Sequence, residues 1–396
     1  MSGNLTSGTV VRDRGATDRR VHRDNRRKQL RGVVLAGIHA WGECMLEEVL
    51  TRPLWPVAGE PLIGHVLKWL RRGGVRRTSI CGNGHTHDLL QAVGLRQQGE
   101  LRIDYYEDRM PRGPAGCARD AALRSDAERF LVVDATVIPD LDLAAMVEAH
   151  ESGAAGLTMA VTTAKTDQGM AIADSVEPVG VYIFERRALE RVSRTGYQDI
   201  KESLIPRLRG DNIRVVGFEV VDAGAPRVRC PSSYLAANRW LLDRLSLAGQ
   251  RDLPPDFDWV APEADVHKDA RFVGPVQVGP GTCIGRDALV VGPTTIGRNC
   301  VVGDGAIIAR SALWDGVCVG PGAVVDHCIL TEAAVLDGAL ELRDTVLIPP
   351  SAQARKSWWR RRRGGRKAVT PAEGAGTSDA GVVGPRDASD PAQVRR

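Results

Sequence analysis

Apolar positions in this chain follow two periods, and the change falls near residue 262. From Leu30 onward, short apolar runs alternate with segments whose apolar residues recur at spacings of three and four, the signs of strand and helix respectively. Arg31-Gly-Val-Val-Leu-Ala-Gly37 predicts a buried strand entering a turn, and Leu62, His65, Val66, Trp69 and Leu70 mark one face of a helix. Further strands are predicted at Thr78–Cys81, Leu101–Tyr105, Phe130–Val133, Leu157–Val161, Val181–Phe184 and Val215–Val221. Helices are predicted between them at Ala115–Arg124, Leu143–Glu151 and Arg186–Arg194, with a closing helix at Tyr234–Leu247. Alternation of this kind implies an α/β domain with a mostly parallel sheet covered on both faces.

From Val266 the period becomes six: Val266, Phe272, Val278, Ile284, Val290, Ile296, Val302 and Ile308 stand in unbroken register. Small residues recur near the fifth position of each hexad, as Ala270, Thr282, Ala288, Cys300 and Ala306. The pattern resembles the hexapeptide repeat of left-handed parallel β-helices, in which each hexad forms one side of a triangular coil. After Ile308 the register slips by one, resumes at Leu313, Val319 and Val325, and loosens through Leu330 and Val335. About five coils are expected, ending near Pro350. The expected organisation is an arm over 1–29, an α/β domain over 30–250, a linker over 251–262, a β-helix over 263–350 and a tail over 351–396.

Charge refines this division. The formal total of +4 conceals +6 in residues 1–31 and +7 in residues 355–396, which leaves the body between them at −9. The termini are therefore read as disordered basic segments. Trp358 and Trp359 beside Arg360–Arg363 could make a weak contact with an anionic surface; no specific nucleic-acid site is expected. No apolar run approaches the roughly 20 residues needed to span a bilayer, and no secretory signal is evident, so a soluble cytoplasmic protein is expected. Eight scattered cysteines without a C-x-x-C pair suggest buried thiols and not a metal or disulfide framework.

Leu35 to Ile63 resembles the N-terminal signature of the sugar-1-phosphate nucleotidyltransferases, the family of mannose-1-phosphate guanylyltransferases and glucose-1-phosphate thymidylyltransferases. The end of that signature is intact as Pro56-Val-Ala-Gly-Glu-Pro-Leu-Ile63. Pro111-Arg-Gly-Pro-Ala-Gly116 is similar to the turn that borders the nucleotide base, with Gly113, Ala115 and Gly116 matching, and Gly37 keeps the first glycine of the phosphate loop. Tyr234-Leu-Ala-Ala-Asn238 matches a later landmark. The resemblance implies a Rossmann-like nucleotidyltransferase domain followed by a left-handed parallel β-helix, with oligomers built through the β-helix.

The residues that carry chemistry in this family are missing here. Laid on the family pattern without a gap, the glycines of the phosphate loop become Ile38 and Ala40, its Thr-Arg pair becomes Trp41 and Gly42, and its lysine becomes Arg52. Nucleotidyl transfer needs a divalent cation to offset charge on the phosphates, and the family supplies two aspartates for it. Their positions fall on Thr136 and Arg227. Of the sugar-phosphate element only Gly180 and Tyr182 remain, with Pro178 in place of its asparagine.

Three readings stay open. One is a non-catalytic homologue in sugar-nucleotide or polysaccharide metabolism, with no cofactor, acting as regulator, scaffold or nucleotide-sugar sensor beside an active paralogue in a homo- or hetero-oligomer. Another is an active NDP-sugar synthase that uses Asp134 and Asp222 to hold Mg²⁺. The last is a hexapeptide acyltransferase with His327 as base. A metal pair at His85 and His87 lacks an evident third ligand.

Overall fold

The computed structural model describes residues 30–37, 44–83, 89, 97–98, 101–108, 110, 112–165, 171–220, 227–248 and 257–349. The rebuilt loop around Gly42, the pair His85 and His87, Asp222 and the cluster Arg360–Arg363 lie outside the described residues. The chain divides into two compact units: one takes residues up to Pro56 and Glu60–Arg229, the other Val57–Gly59 and residues from Cys230 onward.

The first unit is a sheet with helices on both faces. Its strands are β1 (Leu30–Leu35), β2 (Arg77–Gly82), β3 (Gln97–Gln98), β4 (Leu101–Glu107), β5 (Arg129–Asp134), β6 (Leu157–Lys165), β7 (Ala171–Glu185) and β8 (Val215–Glu219), in the order β8-β6-β7-β5-β1-β2-β4-β3. Helices α1 (Leu62–Arg72), α2 (Gly113–Leu123) and α3 (Leu143–Ser152) cover it. Successive residues of β1 serve opposite faces, as a period of two requires. Val34 packs with Ile63, Val66, Leu67, Met146 and Val147 from α1 and α3, while Val33 packs with Ala115, Ala118 and Ala122 from α2.

The sheet is mostly parallel, as expected, with β7 antiparallel to both β5 and β6 and the short β3 antiparallel to β4. Five residues separate β6 from β7, too few for the crossover that parallel neighbours need. The helix expected over Arg186–Arg194 ends at Leu189.

In the second unit, helix α4 (Pro231–Leu247) accompanies five coils of three short strands, stacked as three parallel five-stranded sheets of a left-handed β-helix. Each sheet carries one apolar column in register: Val266, Ile284, Val302, Val319 and Leu336 in one, and Val290, Ile308, Val325 and Leu342 in another, the latter headed by Phe272, which is 36% exposed on the first coil. Thr282, Ala288, Cys300, Ala306 and Ala323 at the corners are fully buried, as is Val317 at the corner position of Thr282 and Cys300. The slip after Ile308 is a change of corner. Gly274-Pro275 and Gly292-Pro293 turn the first two coils, whereas Arg310, His327 and Asp344, all at positive φ, turn the last three. The shorter corner also corrects the last inward position: Leu336 is buried and Val335 is 60% exposed.

The third sheet carries polar or small residues outward, and these too are buried, as with Gln277, Thr295 and Ala312. Helix α4 covers them. Trp314 Nε1 donates to the hydroxyl of Tyr234 at 2.9 Å, and the two rings meet edge to face with centroids 6.2 Å apart. Asn238 Oδ1 accepts from the amide of Ala58 at 3.0 Å, holding a turn in which Ala58 and Gly59 have positive φ. The helix expected to close the α/β domain thus packs within the second unit, and the landmark from Tyr234 to Asn238 has a structural job. No helix among the described residues is long and apolar enough to cross a membrane.

Candidate functional site

The candidate site lies in the first unit, where the parallel strands β1 and β5 end side by side. Leu35 pairs with Asp134, and Ala135 donates its amide to the carbonyl of Leu35 at 3.0 Å. The carboxyl ends of parallel strands are the usual place for ligands in α/β sheets.

Asp134 is fully engaged there. Its Oδ1 accepts from the amide of Thr136 at 2.9 Å and from the Thr136 hydroxyl at 2.8 Å. Its Oδ2 accepts from the guanidinium of Arg227. Arg227 is delivered by the backbone, because Val228 donates its amide to the carbonyl of Thr136 at 3.0 Å. The two positions that align with the family's aspartates are therefore neighbours in space, and a carboxylate–guanidinium pair stands between them.

Electrostatics reinforce the picture. Burial, and then the charges of Arg229 and Arg52, push Arg227 down to about 10, so it still carries its proton at neutral pH. Arg52 pairs with Glu47 at 2.9 Å and lies over the ring of Trp55, 5.6 Å from its centroid. Arg229 escaped the reading of the sequence. The signal was the spacing in Arg227-Val-Arg229, two basic residues flanking Val228, which is fully buried.

These residues do not fit a divalent cation. Such an ion needs carboxylate or carbonyl oxygens, whereas both oxygens of Asp134 are taken and the neighbouring position holds a cation. No group of three His, Cys, Asp or Glu suited to a metal occurs among the described residues.

The glycines of the nucleotide turn are accounted for by packing. Gly113 has φ +74, and a Cβ there would lie 2.6 Å from the carbonyl oxygen of Gln198, which accepts the amide of Ala115 at 3.0 Å. A Cβ on Gly116 would meet that of Arg112 at 2.6 Å. Gly37 is less constrained among the described residues, a Cβ there lying 3.6 Å from Asn83. Gly180, at φ +87, leaves room for Asp134, whose Cβ would lie 3.2 Å from an added one. His327 is a corner residue of the β-helix; its Nδ1 lies 2.6 Å from Asp344, and both side chains are exposed.

With the geometry in place, comparison with known proteins identifies the relatives. Residues 46–179 match the family model described as nucleotidyl transferase, and residues 272–357 match the one described as the GMPPB C-terminal domain. The chain is 24% identical over 302 residues to the mannose-1-phosphate guanylyltransferase of Mycobacterium tuberculosis, covering 70% of this chain and 77% of that one. It is 26% identical over 117 residues to the D-glycero-alpha-D-manno-heptose 1-phosphate guanylyltransferase of Aneurinibacillus thermoaerophilus, spanning half of that protein. It is 30% identical over 125 residues to the human mannose-1-phosphate guanylyltransferase regulatory subunit alpha, spanning 30% of it. The α/β sheet, the β-helix that follows it in the chain and these matches agree in making the chain a relative of the sugar-1-phosphate nucleotidyltransferases.

Proposed function

We propose that this chain is a non-catalytic member of its family, a regulatory subunit that reads a nucleotide sugar and acts on an active nucleotidyltransferase. The observation that carries this reading is the pair between Asp134 and Arg227. It puts a fixed cation where nucleotidyl transfer requires a divalent metal between two carboxylates. Losing such charge stabilisation costs orders of magnitude in rate, so a remnant of the fold without it is a binding site at most. The relative named as a regulatory subunit supports the same direction, and mannose 1-phosphate with GTP is the substrate pair its name and that of the mycobacterial relative suggest.

The test is turnover. The full chain, incubated with GTP, mannose 1-phosphate and Mg²⁺, should release pyrophosphate no faster than buffer. Adding it to an active mannose-1-phosphate guanylyltransferase from the same source should change the rate of that enzyme. Magnesium-dependent pyrophosphate release by the chain alone, abolished in Asp134→Asn, would refute the proposal.

A further inference from the structure

We propose that the guanidinium of Arg227 takes over the charge-neutralising work of the metal, so that this site binds a diphosphate-bearing ligand with no divalent cation. The inference rests on the non-catalytic reading and deepens it by naming the ligand class and the manner of its recognition.

A guanidinium presents five N–H donors in a planar fork. Asp134 occupies one edge through a terminal nitrogen of Arg227. Among the described residues no other acceptor meets that fork, and the side chain remains 30% exposed. The edge that the described residues leave open is the part that suits a phosphate oxygen pair. Asp134 itself is held by Thr136 through two hydrogen bonds, so the fork is oriented before any ligand arrives, and little ordering remains to be done on binding.

The surroundings favour the same ligand. Arg52 and Arg229 add positive charge around Arg227, which Glu47 and Asp134 offset only in part. Gly180 lies against Asp134 and Val137, where a Cβ would come within 3.2 Å of each. A divalent cation bound to the diphosphate would instead be repelled by the guanidinium, which reverses the metal dependence usual for a nucleotidyltransferase. The diphosphate could belong to a nucleotide sugar or to free pyrophosphate.

Calorimetric titration of the full chain in EDTA with GDP-mannose and with inorganic pyrophosphate tests this. Binding of at least one is expected, and adding Mg²⁺ should leave it unchanged or weaken it. Charged hydrogen bonds of this kind imply a loss of roughly 10- to 100-fold in Arg227→Gln, whereas Arg227→Lys, which keeps the charge, should lose much less and guards against a folding defect. Competition between the two ligands would establish the diphosphate as the shared determinant, and pyrophosphate binding alone would assign the site to the free anion. Binding that requires Mg²⁺, equal affinity in Arg227→Gln, or no binding of either ligand would each overturn the inference. Failure of the proposed function reads out separately, as magnesium-dependent turnover of GTP and mannose 1-phosphate. A chain silent in that assay that also binds neither ligand would overturn the metal-free site alone.

Discussion

Removing one oxygen atom from Tyr234 should destabilise the second unit measurably. Its hydroxyl accepts the only N–H of the Trp314 indole at 2.9 Å, and both side chains are buried, Tyr234 completely and Trp314 to 2% exposure. Tyr234→Phe keeps the ring and its edge-to-face contact, so it leaves no cavity of note, but it strands the indole N–H away from water. A buried donor left unsatisfied costs about 1–3 kcal/mol. At about 4 °C per kcal/mol for a domain near this size, the apparent melting temperature should fall by roughly 4–12 °C in circular dichroism. Trp314→Phe removes the donor itself. In that background the indole donor is gone, and the further cost of Tyr234→Phe should fall by at least about 1 kcal/mol, what remains being the hydroxyl's interaction with Asn238. An equal loss in both backgrounds would refute the hydrogen-bond argument and leave only the packing of the ring.

Three further predictions follow from the same reasoning. Gly113→Ala should cost at least about 2 kcal/mol, because positive φ alone costs an L-residue about 1–2 kcal/mol and its Cβ would press on the carbonyl of Gln198; Gly37→Ala, with ordinary contacts, should cost under about 0.5 kcal/mol in a urea titration. Burial opposes ionisation of Cys230, yet hydrogen bonds from Ser232 and Ser233 at the start of α4 outweigh it and bring the thiol to about 7. Its rate of alkylation, followed peptide by peptide, should therefore rise with a midpoint near pH 7, while Cys81 and Cys117, pushed up by burial, stay unreactive. Burial raises the carboxyl of Glu185, but hydrogen bonds from His150 and Arg129 more than offset this and hold it below the usual carboxylate range. A depressed acid stabilises the fold above its unfolded pKa and loses that contribution as pH falls through its folded one. Glu185→Gln should thus be less stable than the parent by about 1–3 kcal/mol at pH 7, and the gap should close below pH 4.

Most of the architecture was legible because burial imposes periods that a sequence must display. The hexads from Val266 to Ile308 predict the coils, and the runs at β1, β2 and β5 predict the parallel core of the sheet. The failures share a cause, which is that local pattern carries no information about what packs against it. Val335 and Leu336 are both aliphatic, and only the corner at His327 decides which of them faces inward. Tyr234-Leu-Ala-Ala-Asn238 reads as helix in any context, but its allegiance to the β-helix depends on Trp314 and on the turn at Ala58. At the candidate site, alignment located Thr136 and Arg227 while leaving their relation unknown. Their meeting depends on the bond from Val228 to Thr136, between residues 92 positions apart.

The site is self-consistent in its charge, and on the proposed reading that consistency argues for one change and not several. Where the family pattern has Asn-Gly-Asp, this chain has Asp134-Ala-Thr136, with its carboxylate on the last residue of β5. Threonine now holds it, and Arg227 neutralises it. Either change alone would leave an unpaired charge in a partly buried place. Arg227→Asp should therefore set two carboxylates against each other and cost about 1–3 kcal/mol, less than the 3–5 kcal/mol of a fully buried pair because both side chains retain some exposure. Adding Asp134→Asn removes the repulsion and should recover most of that stability. If the double variant is no more stable than Arg227→Asp in urea unfolding at pH 7, the two residues do not share one electrostatic unit, and the case for a built-in cation at this site fails with it.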